Sequence, residues 1–90
     1  MQVIQTSIFK KQVKKLHKNQ KSDLDSAVSK IVANVGIGDF KKGDLTNIQV
    51  YKFKMVKQLT LLAYEVFEEK LQLVLIFLGS HENFYRDLKK

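Results

Sequence analysis

The spacing of apolar residues changes from a helical to a strand period about halfway along this chain. Phe9, Val13 and Leu16 recur at i, i+4 and i+7 with lysines between them, which is the spacing of one helix face. The preceding "MQVIQ" is short and partly β-branched, as a first strand should be. Thr6 or Ser7 offers a hydroxyl to cap the helix, which is expected to run to about Lys18. After a break at "NQK", Ser22 with Asp25 three residues later makes a capping-box-like pair. Leu24, Val28, Ile31 and Val35, with Ala27 alongside, then form a second apolar stripe. Gly36 is expected to end that helix in a positive-φ conformation. The two helices should form a hairpin.

"GIGDFKKGDLTN" holds three glycines and two aspartates and reads as loop. Beyond it the period is two. In "IQVYKFKM", Tyr51, Phe53 and Met55 share one face, and Val50, Lys52 and Lys54 the other. "LTLLAYEV" and "LQLVLIFL" follow, joined by "FEEK", and predict an antiparallel meander. Its third strand is apolar on both faces and is expected to be central. Ser80 is placed to cap a short C-terminal helix carrying His81, Tyr85 and Arg86. The order β-α-α-β-β-β-α predicts an α+β fold, a helical hairpin packed on a curved, mainly antiparallel sheet. Residues 1–90 are expected to form one domain.

Charge adds a partner class. Sixteen Lys and Arg against nine Asp and Glu give +7, which favours a polyanion or an acidic protein. Lys10, Lys11, Lys14, Lys15, Lys18 and Lys21 crowd one segment, while acids gather at Asp23/Asp25, Asp39/Asp44 and Glu65–Glu69. The chain has no cysteine, which excludes disulfides and thiolate metal sites and suits a reducing compartment. "MQVIQTSIFKK" lacks the apolar core of a signal peptide, and Leu73–Leu78 is far too short to span a membrane. A cytoplasmic protein with no membrane partner is expected.

Candidate chemistry concentrates near the C-terminus. Lys52 and Lys54 leave one strand face about 7 Å apart, a spacing that can straddle a phosphodiester. His81 follows the last strand and can exchange a proton near neutrality. Tyr85, one turn on, offers a ring for stacking an unpaired base. Phe84 reads better as an anchor in the core, and Arg86, Lys89 and Lys90 suit a helix C-terminus. His17 has no evident partner. No metal-ligand cluster, phosphate-cradling glycine motif or serine elbow is present, so no cofactor is expected.

"VYKFKM", "LLAYEV" and "LVLIFLGSHENFYRDLK", behind the hairpin "SIFKKQVKKLHKNQKSDLDSAVSKI", together resemble the RelE/ParE superfamily of bacterial type II toxin–antitoxin toxins. The resemblance covers nearly the whole chain. It implies a small acidic antitoxin as partner and, in the RelE-like branch, endoribonuclease action on ribosome-bound messenger RNA by 2′-hydroxyl attack without a metal. The tyrosine–lysine–x–lysine strand of that branch matches Tyr51, Lys52 and Lys54, and the glycine–x–histidine turn of one subgroup matches Gly79 and His81. An aromatic four residues on matches Tyr85. Two family arginines fall on Leu61 and Phe77, leaving Lys57 or Arg86 to supply charge. The catalytic set implied is Lys52, Lys54, His81, Tyr85 and Arg86, with Lys10, Lys11, Lys14, Lys15 and Lys57 binding RNA. The ParE branch poisons DNA gyrase instead, and a non-catalytic nucleic-acid-binding module using the basic first helix is a further alternative.

Overall fold

The structure is a computed structural model that describes residues 1–40, 47–81 and 84. The strands are β1 (Gln2–Gln5), β2 (Asp39–Phe40), β3 (Gln49–Met55), β4 (Gln58–Phe67) and β5 (Gln72–Ser80). The helices α1 (Ser7–Lys14) and α2 (Lys18–Ala33) lie between β1 and β2. The five strands form one sheet in the order β1-β5-β4-β3-β2. Only β1 runs parallel to its neighbour, pairing Gln2–Gln5 with Gln72–Leu75. The α+β class and the mainly antiparallel sheet stand as read from the chain.

The strand period is obeyed where one face is covered. Phe9, Leu24 and Ile31 from the helices pack on Met55, Leu62, Tyr64, Leu73, Leu75 and Leu78 from the sheet. Burying each such side chain stabilises the fold by about 1.5–3 kcal/mol. Phe84 covers the opposite face, against Val50, Leu61 and Ala63, with Phe77 and Ile76 at its margin. The anchoring role expected of Phe84 is thus met. The middle strand is β4, whose residues Thr60–Tyr64 are all buried, rather than β5. Although β5 is interior, it borders the short β1, which leaves its outer edge thinly covered.

Several boundaries differ from expectation. The second helix begins at Lys18, a turn before Ser22, because Gln20 reaches back and accepts the His17 N–H at 2.7 Å. His17 is therefore the helix cap, and the break falls at Lys15–His17. At its far end the helix stops at Ala33, with Asn34 as cap donating to the Lys30 and Ile31 carbonyls. Gly36 lies beyond it and has no positive φ. Inside the expected loop, Asp39 and Phe40 pair with Val50 and Gln49 as a fifth strand. Ser80 pairs with Thr60 as the last residue of β5, so it ends a strand where a helix cap was expected.

A buried polar knot holds the link from α2 to β2. The fully buried Tyr64 hydroxyl donates to the Val35 carbonyl at 2.8 Å and accepts the Gly38 N–H at 2.8 Å. Gln49 Nε2 faces the Val35 and Gly38 carbonyls and the same hydroxyl at 3.0, 3.2 and 3.1 Å. A Cβ on Gly38 would stand 2.7 Å from that hydroxyl, so glycine is required there by close approach. Burial pushes the Tyr64 phenol above 10.0; the Gly38 N–H opposes the shift and Asp39 adds to it. A raised phenol pKa makes this contribution to stability complete below pH 10 and lost as pH climbs toward the folded value. Tyr64→Phe should cost about 1–3 kcal/mol at neutral pH. It should also flatten the decline in stability above pH 10, as read by urea unfolding across pH.

The β3–β4 hairpin turns on Val56 and Lys57, both at positive φ (49° and 72°). A β-branched residue is costly there, by about 1–2 kcal/mol. Asp23 of α2 holds the turn in place, accepting the Val56 N–H at 2.7 Å. Val56 is largely exposed, so its side chain returns little packing. Val56→Asn should therefore raise the unfolding free energy by about 1 kcal/mol in urea titrations, since Asn tolerates this conformation. Unchanged or lower stability would remove strain from the account of this turn.

Candidate active site at the end of the sheet

Strand register decides which candidates meet. Lys52 is paired with Leu61 and Lys54 with Leu59, and all four belong to the face away from the helices. On the other side of β4, Leu61 is paired with Gly79, and the Leu59 carbonyl accepts the His81 N–H at 3.2 Å. Lys54, Leu59 and His81 therefore form one row across three strands, with Lys52, Leu61 and Gly79 in the next. Two strand spacings separate Lys54 from His81, about 10 Å at the backbone. That gap admits one phosphodiester between an ammonium and an imidazole.

His81 reaches this face because β5 carries a bulge. Ala63 pairs with Phe77 but Tyr64 with Leu75, so Ile76 is an extra residue. Leu73 and Leu75 point to the helices before it, and Leu78 does so after it. With uninterrupted alternation His81 would share the face of Leu73 and Leu75; the added residue sends it to the lysine face instead. Thr6 supports the bulge. Its hydroxyl donates to the Ile76 carbonyl at 2.8 Å and accepts the Phe9 N–H at 3.1 Å, capping α1 at the same time. Gln12 continues the cover, donating to the Leu78 carbonyl at 2.6 Å and accepting the Leu78 N–H at 2.8 Å. Neither Thr6 beyond its capping role nor Gln12 was anticipated from the chain. The run "LIFL", where alternation fails, is the sequence trace of the bulge.

The floor between the cations is apolar. Leu61 is buried, and the Phe77 and Phe84 rings meet at 5.7 Å and 60°. Gly79 permits this closeness, because a Cβ there would lie 3.2 Å from the Phe84 ring and 3.4 Å from its Cα. Leu61 and Phe77 are thus parts of one hydrophobic cluster. Lys52 and Lys54 are exposed, and neither makes an ion pair among the described residues. An open hollow of about 290 Å³ lies beside His81, lined also by Gln58, Leu59 and Ser80. Tyr85 and Arg86 lie outside the described residues. Lys10, Lys11 and Lys14 are exposed on α1 and Lys15 at its C-cap, in the layer across the sheet, and Lys57 sits at the strained turn. Among the described residues no three His, Cys, Asp or Glu side chains gather as a metal site, and no helix is long and apolar enough to cross a membrane.

Residues 3–89 match the family model of the ParE-like toxin of type II bacterial toxin–antitoxin systems. The chain belongs to this family. Its fold is similar to that of the E. coli toxin RelE, solved as a double arginine-to-alanine mutant in complex with an antitoxin RelBc peptide. The similarity has a TM-score of 0.71 at 17% identity and covers 96% of this toxin and 92% of RelE. No curated protein sequence matches this ParE-like toxin. The RelE/ParE resemblance read from the ordered motifs is thereby established for the toxin, and with it the RelE-like fold.

The support of the toxin's bulge is open to a direct check. Thr6→Val keeps the shape of the side chain and removes both hydroxyl bonds, whereas Thr6→Ser keeps them. The valine variant should lose about 1–3 kcal/mol in urea unfolding and the serine variant much less.

Proposed function

We propose that this toxin is an endoribonuclease that cleaves messenger RNA, ribosome-bound in the cell, by attack of a ribose 2′-hydroxyl on the adjacent phosphodiester. The observation that carries the reading is the shared row and face of Lys54 and His81, with Lys52 in the next row. One face then offers two lysine ammonium groups and an imidazole. His81 takes the proton of the attacking 2′-hydroxyl as general base. The 2′-oxygen bonds to phosphorus while the bond to the 5′-oxygen breaks. Lys54 gives that departing oxygen a proton, and a 2′,3′-cyclic phosphate remains. Lys52 steadies the charge on the pentavalent phosphorus. Tyr85 stacks or orients the base, and Arg86 assists with charge. The steps use only side chains, with no metal.

The lysines of α1 act at a distance, drawing the polyanion to the helical side without taking part in bond making. A cognate acidic antitoxin opposes the toxin. That partner is supported by the family's description as one half of a toxin–antitoxin system, and by the antitoxin peptide bound to RelE.

A second reading has its own support: the matching family model is described as ParE-like, and Leu61 and Phe77 are apolar where ribonuclease relatives hold arginine. On that reading the toxin inhibits gyrase and His81 has no chemical role. The two readings part in one assay pair, single-turnover cleavage of ribosome-bound message beside DNA supercoiling by gyrase. His81→Gln should keep the fold and lower cleavage roughly 10²–10⁴-fold. Lys54→Met should do similar damage, and the double variant less than the product of the two. Full cleavage by His81→Gln would take the histidine out of the mechanism. Gyrase inhibition with no cleavage would assign the chain to the ParE mode.

A further inference from the structure

A second hollow, of about 350 Å³, lies at the same end of the sheet on its helical side. Its apolar lining is Leu16 from the link between α1 and α2, Met55 from β3 and Leu78 from β5. Its polar rim is Lys15, Gln58 and Ser80. The polar groups deeper in the wall are already engaged. Gln12 spends both ends of its amide on Leu78, and the Thr60 hydroxyl donates to the Gln58 carbonyl at 3.0 Å. The Gln58 amide, the Ser80 hydroxyl and the Lys15 ammonium have no partner among the described residues.

This hollow adjoins the one beside His81. Gln58 and Ser80 line both. Ser80, paired with Thr60, faces the helices, while His81 beside it belongs to the lysine face. The two hollows are therefore separated only by the ends of β4 and β5.

We propose that the helical-side hollow is a nucleobase subsite, holding an unpaired base of the RNA strand whose phosphate lies between Lys54 and His81. The inference rests on the ribonuclease reading and extends it to substrate selection. Aliphatic walls suit the faces of a base, and an amide with a hydroxyl beside it suits a base edge, since together they donate and accept. A carboxylate from an acidic peptide would find only acceptor-to-donor matches here and would leave the Gln58 carbonyl oxygen unused. Lys15, at the C-terminal end of a lysine-rich helix, meets the phosphate of the same nucleotide. A strand that rounds the end of the sheet is cut on one face and read on the other.

Fully 2′-O-methylated RNA trinucleotides lack the attacking hydroxyl and are suitable probes. They would be titrated into ¹⁵N-labelled full-length toxin, in sets that differ at one base. The amides of Leu16, Gln58 and Ser80 should shift together with that of His81. The toxin should prefer one base at one position, and Gln58→Leu or Ser80→Ala should each reduce that preference roughly tenfold. Lys15→Gln should weaken all trinucleotides alike and lower the salt slope by about one. Shifts confined to Lys52, Lys54 and His81 would overturn the base subsite and leave the ribonuclease reading standing. Shifts at Leu16 and Gln58 with an acidic peptide but not with RNA would overturn it in favour of a protein occupant. No shift anywhere with RNA would overturn the base subsite, while the ribonuclease reading stands or falls separately on cleavage of ribosome-bound message.

Discussion

The site depends on one surplus residue in β5. A strand has only two faces, so parity alone decides whether His81 stands with the lysines or under the helices. Ile76 changes the parity five residues before the histidine. A bulge leaves backbone groups outside the ladder, and buried ones must find partners elsewhere. Thr6 satisfies the Ile76 carbonyl from outside the sheet, and Gln12 closes the next pair of groups at Leu78. The N-cap of α1 and its second turn thus substitute for the missing length of β1. Helix, edge strand and the face shared by Lys54 and His81 are coupled through two side chains.

Much of this fold is written in periodicity. Phe9 and Val13 declare one helix, Tyr51, Phe53 and Met55 one strand face, and the structure places each on the core as spaced, with Leu16 packed there from the link after α1. The misplaced features are those with no periodic signal. The start of α2 was displaced because a histidine with a glutamine three residues on is a weak cap signature, whereas Ser22 is a strong one. The two residues of β2 are too few for alternation to show, and what holds them is pairing with β3 and the distant Tyr64 and Gln49. The turn at Val56–Lys57 uses residues that disfavour its geometry, so turn chemistry points elsewhere.

The candidate site was legible in part. Lys52 and Lys54 could be placed on one face from the alternation of β3 alone. That His81 shares their face could not, because the strand that precedes it breaks its own rhythm at "LIFL". Gln58 and Ser80 carry no motif; their meaning comes only from lying on both sides of the sheet end. The apolar floor of Leu61, Phe77 and Phe84 likewise needs the third dimension, since it joins residues from β4, β5 and the chain beyond. A dry floor lowers the local dielectric, which strengthens the field of the lysines at its edge.

The contact between Thr6 and Ile76 joins residues 70 positions apart in a short chain. Pairings of such long separation come late in folding, after local helices and hairpins have formed, because the intervening loop must first be closed. During synthesis β3 and β4 can pair as soon as both have emerged, displaying the lysines alone. The histidine takes its side only when the last strand meets the first helix. The order of synthesis therefore delays the meeting of His81 with the lysine face until the last strand has been made.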